Sequence, residues 1–224
     1  MSTAPAASNI PAPILPIYEA LRKEVTWLHA RWLIYRELYG ESQRRIDLLN
    51  ASAGFFFYVV EEVLRDEVQV CLSKLTDPAS KGRAHKNLSL EQLYEGLNAH
   101  GDVVIALRCR AILDRLLAEC ETFRERRNKE LAHLDLPTAL KQVSTPIPGV
   151  SRQMVEDALR SVRELMNAVE VYYDDSETGY EHFVSTSGAD ALLAVLREGL
   201  RYEDLIQQRV LPHDDMFKGE WSDA

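Results

Sequence analysis

Arg126, Arg127, Asn128 and His133 fall within ten residues, RRNKELAHLD at 126–135. They bring together fixed cations, a carboxamide and a ring that titrates near neutral pH, residue types suited to handling anions and protons. Their setting sharpens the point. Arg127 falls on the continuation of an apolar stripe formed by Cys109, Leu113, Leu116, Cys120 and Phe123, where a guanidinium must find a partner or water. On a straight helix Arg127 and His133 lie about 120° apart, whereas Arg126 nearly eclipses His133. Arg127 and His133 therefore share one site only if the helix ends near Leu131 or carries a one-residue π-bulge, a distortion frequent at functional sites.

The elements that must position these residues read as helices throughout. Ile17, Leu21, Val25, Leu28, Trp32, Tyr35 and Tyr39 recur at spacings of three and four up to Gly40, which predicts a first helix. Ile46, Leu49, Ala53, Phe56, Val60, Val63, Val68, Cys71 and Leu75 predict a second, long one ending before DPASKGR. Ser89 and Gln92 form a capping box for a short helix closed by Gly101. A long helix follows from Val103, limited by Pro137. Ser151 caps another, carrying Val155, Ala158, Val162, Leu165, Val169 and Tyr172, and a last one runs from Ala189 to Gln208 with Leu192, Leu196 and Leu200. No period-two strand of useful length and no repeat are present, so the expected fold class is all-α, an antiparallel helical bundle. The expected organisation is a flexible leader at 1–13, one bundle at 14–208 and an acidic tail at 209–224.

Composition narrows the function. A net charge of −9 argues against a protein that coats nucleic acid through a global basic field, but leaves room for a local basic cleft. Cys71, Cys109 and Cys120 are odd in number and lack metal or redox spacing, which points to a reducing compartment, and the N-terminus lacks signal-peptide features. The expected location is cytoplasmic. The run ASAGFFFYVV at 51–60 is half the length of a membrane span and stops at Glu61 and Glu62, so it is expected to be core. No ligand spacing for a metal, phosphate loop or nucleophile elbow appears, and neither a cofactor nor a metal is expected.

The motif Arg127–Asn128–(four residues)–His133, in RNKELAHLD, together with LSKLTDPASKGRAHKNLSLEQL at 72–93, resembles the HEPN superfamily, and within it the AbiU-like abortive-infection domains. The resemblance covers about residues 15–205. It implies an α-helical, usually dimeric protein that cleaves RNA without metal, acting in defence against phage or as a toxin. In that chemistry His133 serves as base or acid, Arg127 clamps phosphate oxygens and Asn128 orients either one, with Arg126 as an accessory. One His cannot easily be both acid and base, so pairing two motifs across a symmetric homodimer is expected to complete the site. RNA is the implied substrate and an antitoxin or other protein a further partner. No membrane partner is expected.

Elsewhere, Lys81, Arg83, His85 and Lys86 in KGRAHK form a basic loop suited to RNA phosphates. Arg22 and His29 repeat the motif's spacing, but Lys23 follows Arg22 and the pair lies on an ordinary amphipathic helix, so a functional role is not expected there. The competing reading makes the protein a non-catalytic helical module binding a protein or nucleotide. In it Arg127 caps a buried carboxylate or a neighbouring helix end, and His133 sits at a helix C-terminus.

Overall fold

A computed structural model describes residues 8–82, 85–132, 135–140, 142, 147–183 and 187–211, with Lys81 described by its backbone alone. The first seven residues, Arg83, His133, residues 144–146 and the tail from 212 lie outside the described residues.

The protein is all-α. Its helices are α1 (Leu15–Tyr35), α2 (Gln43–Leu75), α3 (Leu90–His100), α4 (Val103–Glu119), α5 (Glu121–Arg126), α6 (Leu136–Ala139), α7 (Arg152–Asp174) and α8 (Ala189–Gln207). Between α2 and α3 a two-residue antiparallel hairpin pairs β1 (Ser80–Lys81) with β2 (His85–Lys86). Residues 36–40 and 127–131 form π-helical turns. Among the described residues no helix is long and apolar enough to cross a membrane.

The chain divides into two compact units, residues 1–32 with 64–183 and residues 33–63 with 184–224. In the first, polar contacts fix the helix directions. Along α1, Tyr18, His29 and Trp32 meet Glu170, Arg163 and Glu156 of α7 in reverse order, so the two run antiparallel. Asp102, just before α4, meets Tyr173, and Arg115 of α4 meets Ser161, so α4 is antiparallel to α7 as well. Leu21, Val25 and Leu28 of α1, Val68, Leu72 and Leu75 of α2, Cys109, Leu113 and Leu116 of α4 and Leu159, Val162 and Leu165 of α7 fill the core. Each buried valine and leucine among them is worth about 1.5–3 kcal/mol. Ser8 and Asn9 bond to the Asp174 carboxylate, and Ile10 is buried.

The caps follow the sequence. Ser89 Oγ accepts from Gln92 N and Ser151 Oγ from Met154 N, while Gly101 closes α3 at φ +93°. The expected helix from Val103 is instead two: the chain turns at Cys120 before α5, yet the stripe survives, since Cys120 and Phe123 are fully buried. Pro137 opens the short α6, in the first turn where its missing N–H costs nothing.

The second unit corrects the stripe of α2. Ala53 is non-helical (φ −157°, ψ 66°), and beyond this kink the buried aromatic is Phe57 rather than Phe56. The run 51–60 is accordingly not core: Phe55 is 83% and Phe56 60% exposed, and Tyr58 and Val59 are exposed too. A one-residue slip at the kink moves the apolar face off its sequence register. Val63 is exposed likewise, Leu193 replaces Leu192 as the buried position of α8, and Tyr172 of α7 stays exposed. In this unit the Tyr39 hydroxyl donates to the Phe57 carbonyl at 2.8 Å, and Arg45 pairs with Asp190 at 2.9 Å.

Candidate functional site

The candidate site lies where the α4–α5 rod ends against the C-terminal end of α2, within the first unit. Phe123, fully buried, sets the rotation of α5. Arg124 and Arg127, three apart and so on one face, then reach the end of α2. Arg124 donates from Nη2 to the Leu117 carbonyl at 2.9 Å and from Nη1 to the Thr76 carbonyl at 3.5 Å, where a cation complements the helix dipole. Arg127 Nη1 donates to both oxygens of Asp77, each at 2.9 Å. The pair is largely enclosed, with 13% of the Arg127 side chain and 18% of the Asp77 side chain accessible.

Arg127 Nε donates to Asn128 Oδ1 at 3.2 Å. That bond turns the exposed carboxamide so that its Nδ2 donors face away from the arginine. Of the five guanidinium donors, Nη1 and Nε are committed, and Nη2 has no partner among the described residues.

The helix changes character at this point. Ala132 N donates to the Arg127 carbonyl at 2.7 Å, the i to i−5 bond of a π turn, and regular structure stops at Leu131. Past the end, Asp135 N returns to the Lys129 carbonyl at 3.1 Å, and Asp135 caps α6 through Thr138. A π distortion and a helix end at Leu131 are thus both present, and of the two only the helix end can free the chain from helical phase. His133 lies outside the described residues.

Arg126, the expected accessory, is turned to Glu130 of its own helix at 3.1 Å, and its buried Nε has no partner among the described residues. Lys86 pairs in register with Ser80, three residues beyond Asp77, and Asn87 ties the hairpin base to Pro78 and Ala79. At 3.8 Å per residue, the Lys81 backbone is within about 15 Å of Asp77. The basic hairpin and the Arg127 site are therefore neighbours by chain connectivity, although Arg83 lies outside the described residues.

Asp77 is the residue that sequence reasoning missed. Its signal was the demand of Arg127 for a partner, but nothing in the spacing says which of many carboxylates answers it. The second match, Arg22 and His29, does not form a site. His29 is buried, its Nδ1 bonds to the Val25 carbonyl at 2.9 Å and its Nε2 faces Arg163 at 3.3 Å. Burial, aided by the Arg163 charge, lowers its pKa to about 4. The three thiols are free, and burial raises Cys71 to about 11 and Cys109 and Cys120 to about 12, so none is a ready nucleophile. Among the described residues no group of three or more His, Cys, Asp or Glu is placed to hold a metal ion.

The all-α fold thus carries its Arg–Asn pair in the π turn that follows α5. Residues 12–192 match the model of the AbiU2 family of HEPN domains, and the chain belongs to that abortive-infection family. No curated protein and no solved structure matches the chain.

Proposed function

We propose that the chain is a metal-independent endoribonuclease of a phage-defence or toxin system, cutting RNA at a site completed by a second copy of itself. The observation that supports this reading is the pair of donors left at the helix end. Arg127 Nη2 and Asn128 Nδ2 have no partner among the described residues and sit on adjacent residues, where they can meet phosphate oxygens.

In the reaction a ribose 2′-oxygen attacks the adjacent phosphorus while its proton passes to a base. The bond from phosphorus to the 5′-oxygen breaks, and an acid protonates that leaving oxygen. The products are a 2′,3′-cyclic phosphate and a 5′-hydroxyl. Arg127 stabilises the crowded phosphate, Asn128 orients it, and His133 takes or gives the proton. Because one imidazole cannot be protonated and unprotonated at once, His133 of a symmetric second copy fills the other role. Lys81, Arg83 and Lys86 of the hairpin hold flanking phosphates.

The test is cleavage of single-stranded RNA by the purified protein in EDTA, with the cyclic phosphate identified on the product. His133→Ala is expected to lower the rate about 10²–10⁴-fold, and Arg127→Ala about 10²–10³-fold, with helical circular dichroism retained. Arg22→Ala should cleave like the parent, and light scattering at micromolar concentration should give a dimer. A parent protein that leaves RNA intact, or a His133→Ala variant as fast as the parent, overturns the proposal. The second reading, a non-catalytic module binding a protein or nucleotide, is favoured by the contact with Asp77, which is what a purely structural arginine makes. It takes over on either of those outcomes.

A further inference from the structure

The way Asp77 holds Arg127 is unusual. Arginine and carboxylate normally meet fork to fork, two nitrogens to two oxygens. Here both Asp77 oxygens converge on the single nitrogen Nη1, each at 2.9 Å, and Nε is taken from the other side by Asn128. The guanidinium is thereby held on both flanks with Nη2 left over.

Asp77 has no other hydrogen-bond partner for its side chain among the described residues. Its backbone is fixed independently, since Asp77 N donates to the Lys74 carbonyl at 3.2 Å and Pro78 follows. The carboxylate is therefore not needed to end α2, and its one contact is Arg127.

Resting on the ribonuclease reading, we propose that Asp77 is a positioning residue for that reaction: it locks the Arg127 guanidinium so that Nη2 is the edge presented to the scissile phosphate. The carboxylate also offsets the arginine charge, so the site gains more from donor placement than from general attraction to RNA. The loss on removing Asp77 then falls on kcat and not on KM, because the interaction matters in the transition state.

The experiment is a cycle on the full chain with single-stranded RNA in EDTA, using Asp77→Asn, Asp77→Glu, Arg127→Ala and the double variant Asp77→Asn/Arg127→Ala. A guanidinium displaced by about 1 Å costs up to about 10²-fold in rate. Asp77→Asn is expected to lose about tenfold or more in kcat with KM within about twofold of the parent. Asp77→Glu, which restores the charge at a different reach, should recover part of it. The double variant should be no slower than Arg127→Ala alone, since Asp77 acts only through Arg127. Full kcat in Asp77→Asn, or additive losses in the double variant, overturns the positioning role.

A second readout does not depend on activity. In ¹⁵N-labelled protein the Arg127 Nη1–H signals should be slowed in exchange in the parent and in Asp77→Glu, and lost to rapid exchange in Asp77→Asn. An unchanged signal in Asp77→Asn refutes the lock. If the parent cuts no RNA, the ribonuclease reading fails, and this signal alone shows whether Asp77 fixes the arginine.

Discussion

Removing Arg127 tests packing as well as chemistry, and the structure gives the size of the packing effect. With 13% and 18% of their side chains accessible, Arg127 and Asp77 lie between an exposed ion pair and a fully buried one. Exposed pairs contribute about 0–1 kcal/mol, whereas breaking a buried one costs about 3–5 kcal/mol. Arg127→Ala, which leaves the Asp77 carboxylate without its partner, should therefore destabilise by about 2 kcal/mol. For a protein of this size that lowers Tm by about 4–8 °C. Asp77→Ala should cost a similar amount, by stranding the cation instead. The double variant removes both charges and leaves neither stranded, so it should be more stable than the sum of the singles implies, by a coupling of about 1–2 kcal/mol. Urea unfolding followed by circular dichroism reads all four proteins, and because both residues belong to one compact unit a single transition reports on them. Additive single costs, with coupling indistinguishable from zero, would refute the pair as a stabilising contact.

Two further outcomes follow from other parts of the fold. His29 is held neutral by burial, with a pKa near 4 against its ordinary 6.5, whereas the unfolded chain takes up the proton near 6.5. Its contribution is thus complete above pH 6.5 and lost as pH falls from 6.5 towards 4, by about 3 kcal/mol at most; urea midpoints across that window should fall in the parent and fall less in His29→Gln, and equal slopes would count against it. Gly101 sits at φ +93° with no atom within 4 Å of where a Cβ would stand, so Gly101→Ala should cost about 1–2 kcal/mol through backbone conformation alone, and a Tm equal to the parent's would refute the left-handed cap.

What the sequence made legible was what local chemistry decides. Ser89, Gly101 and Ser151 mark helix ends because a hydroxyl or a missing Cβ acts within one turn. The stripe from Cys109 to Phe123 held even across the break at Cys120, because each residue is buried against the same core. What failed was phase. A single non-helical residue, Ala53, moved the buried aromatic from Phe56 to Phe57 and left a hydrophobic run at the surface, and no propensity marks alanine as a place to kink. The π turn at 36–40 was likewise not foreseen. In the site, the need of Arg127 for a partner was visible but the partner was not, because Asp77 is fifty residues away along the chain and joins it only through the packing of α5 on the end of α2.

The π turn works against alignment of Arg127 with a residue six positions on. Six residues at about 100° each put His133 about 120° from Arg127 on a regular helix. One extra residue in the turn reduces the step to five, about 140°, which separates the two further. The π turn therefore does not align them; the end of the helix at Leu131 is what releases the chain from helical phase. The π bond instead acts on the arginine. Its carbonyl is held by Ala132 N at 2.7 Å, its Nη1 by Asp77 and its Nε by Asn128. Arg127 is fixed at backbone and side chain together, in the π turn with which the helix ends at Leu131. The fold itself thus fixes this cation, whatever it meets, without help from any residue beyond Ala132.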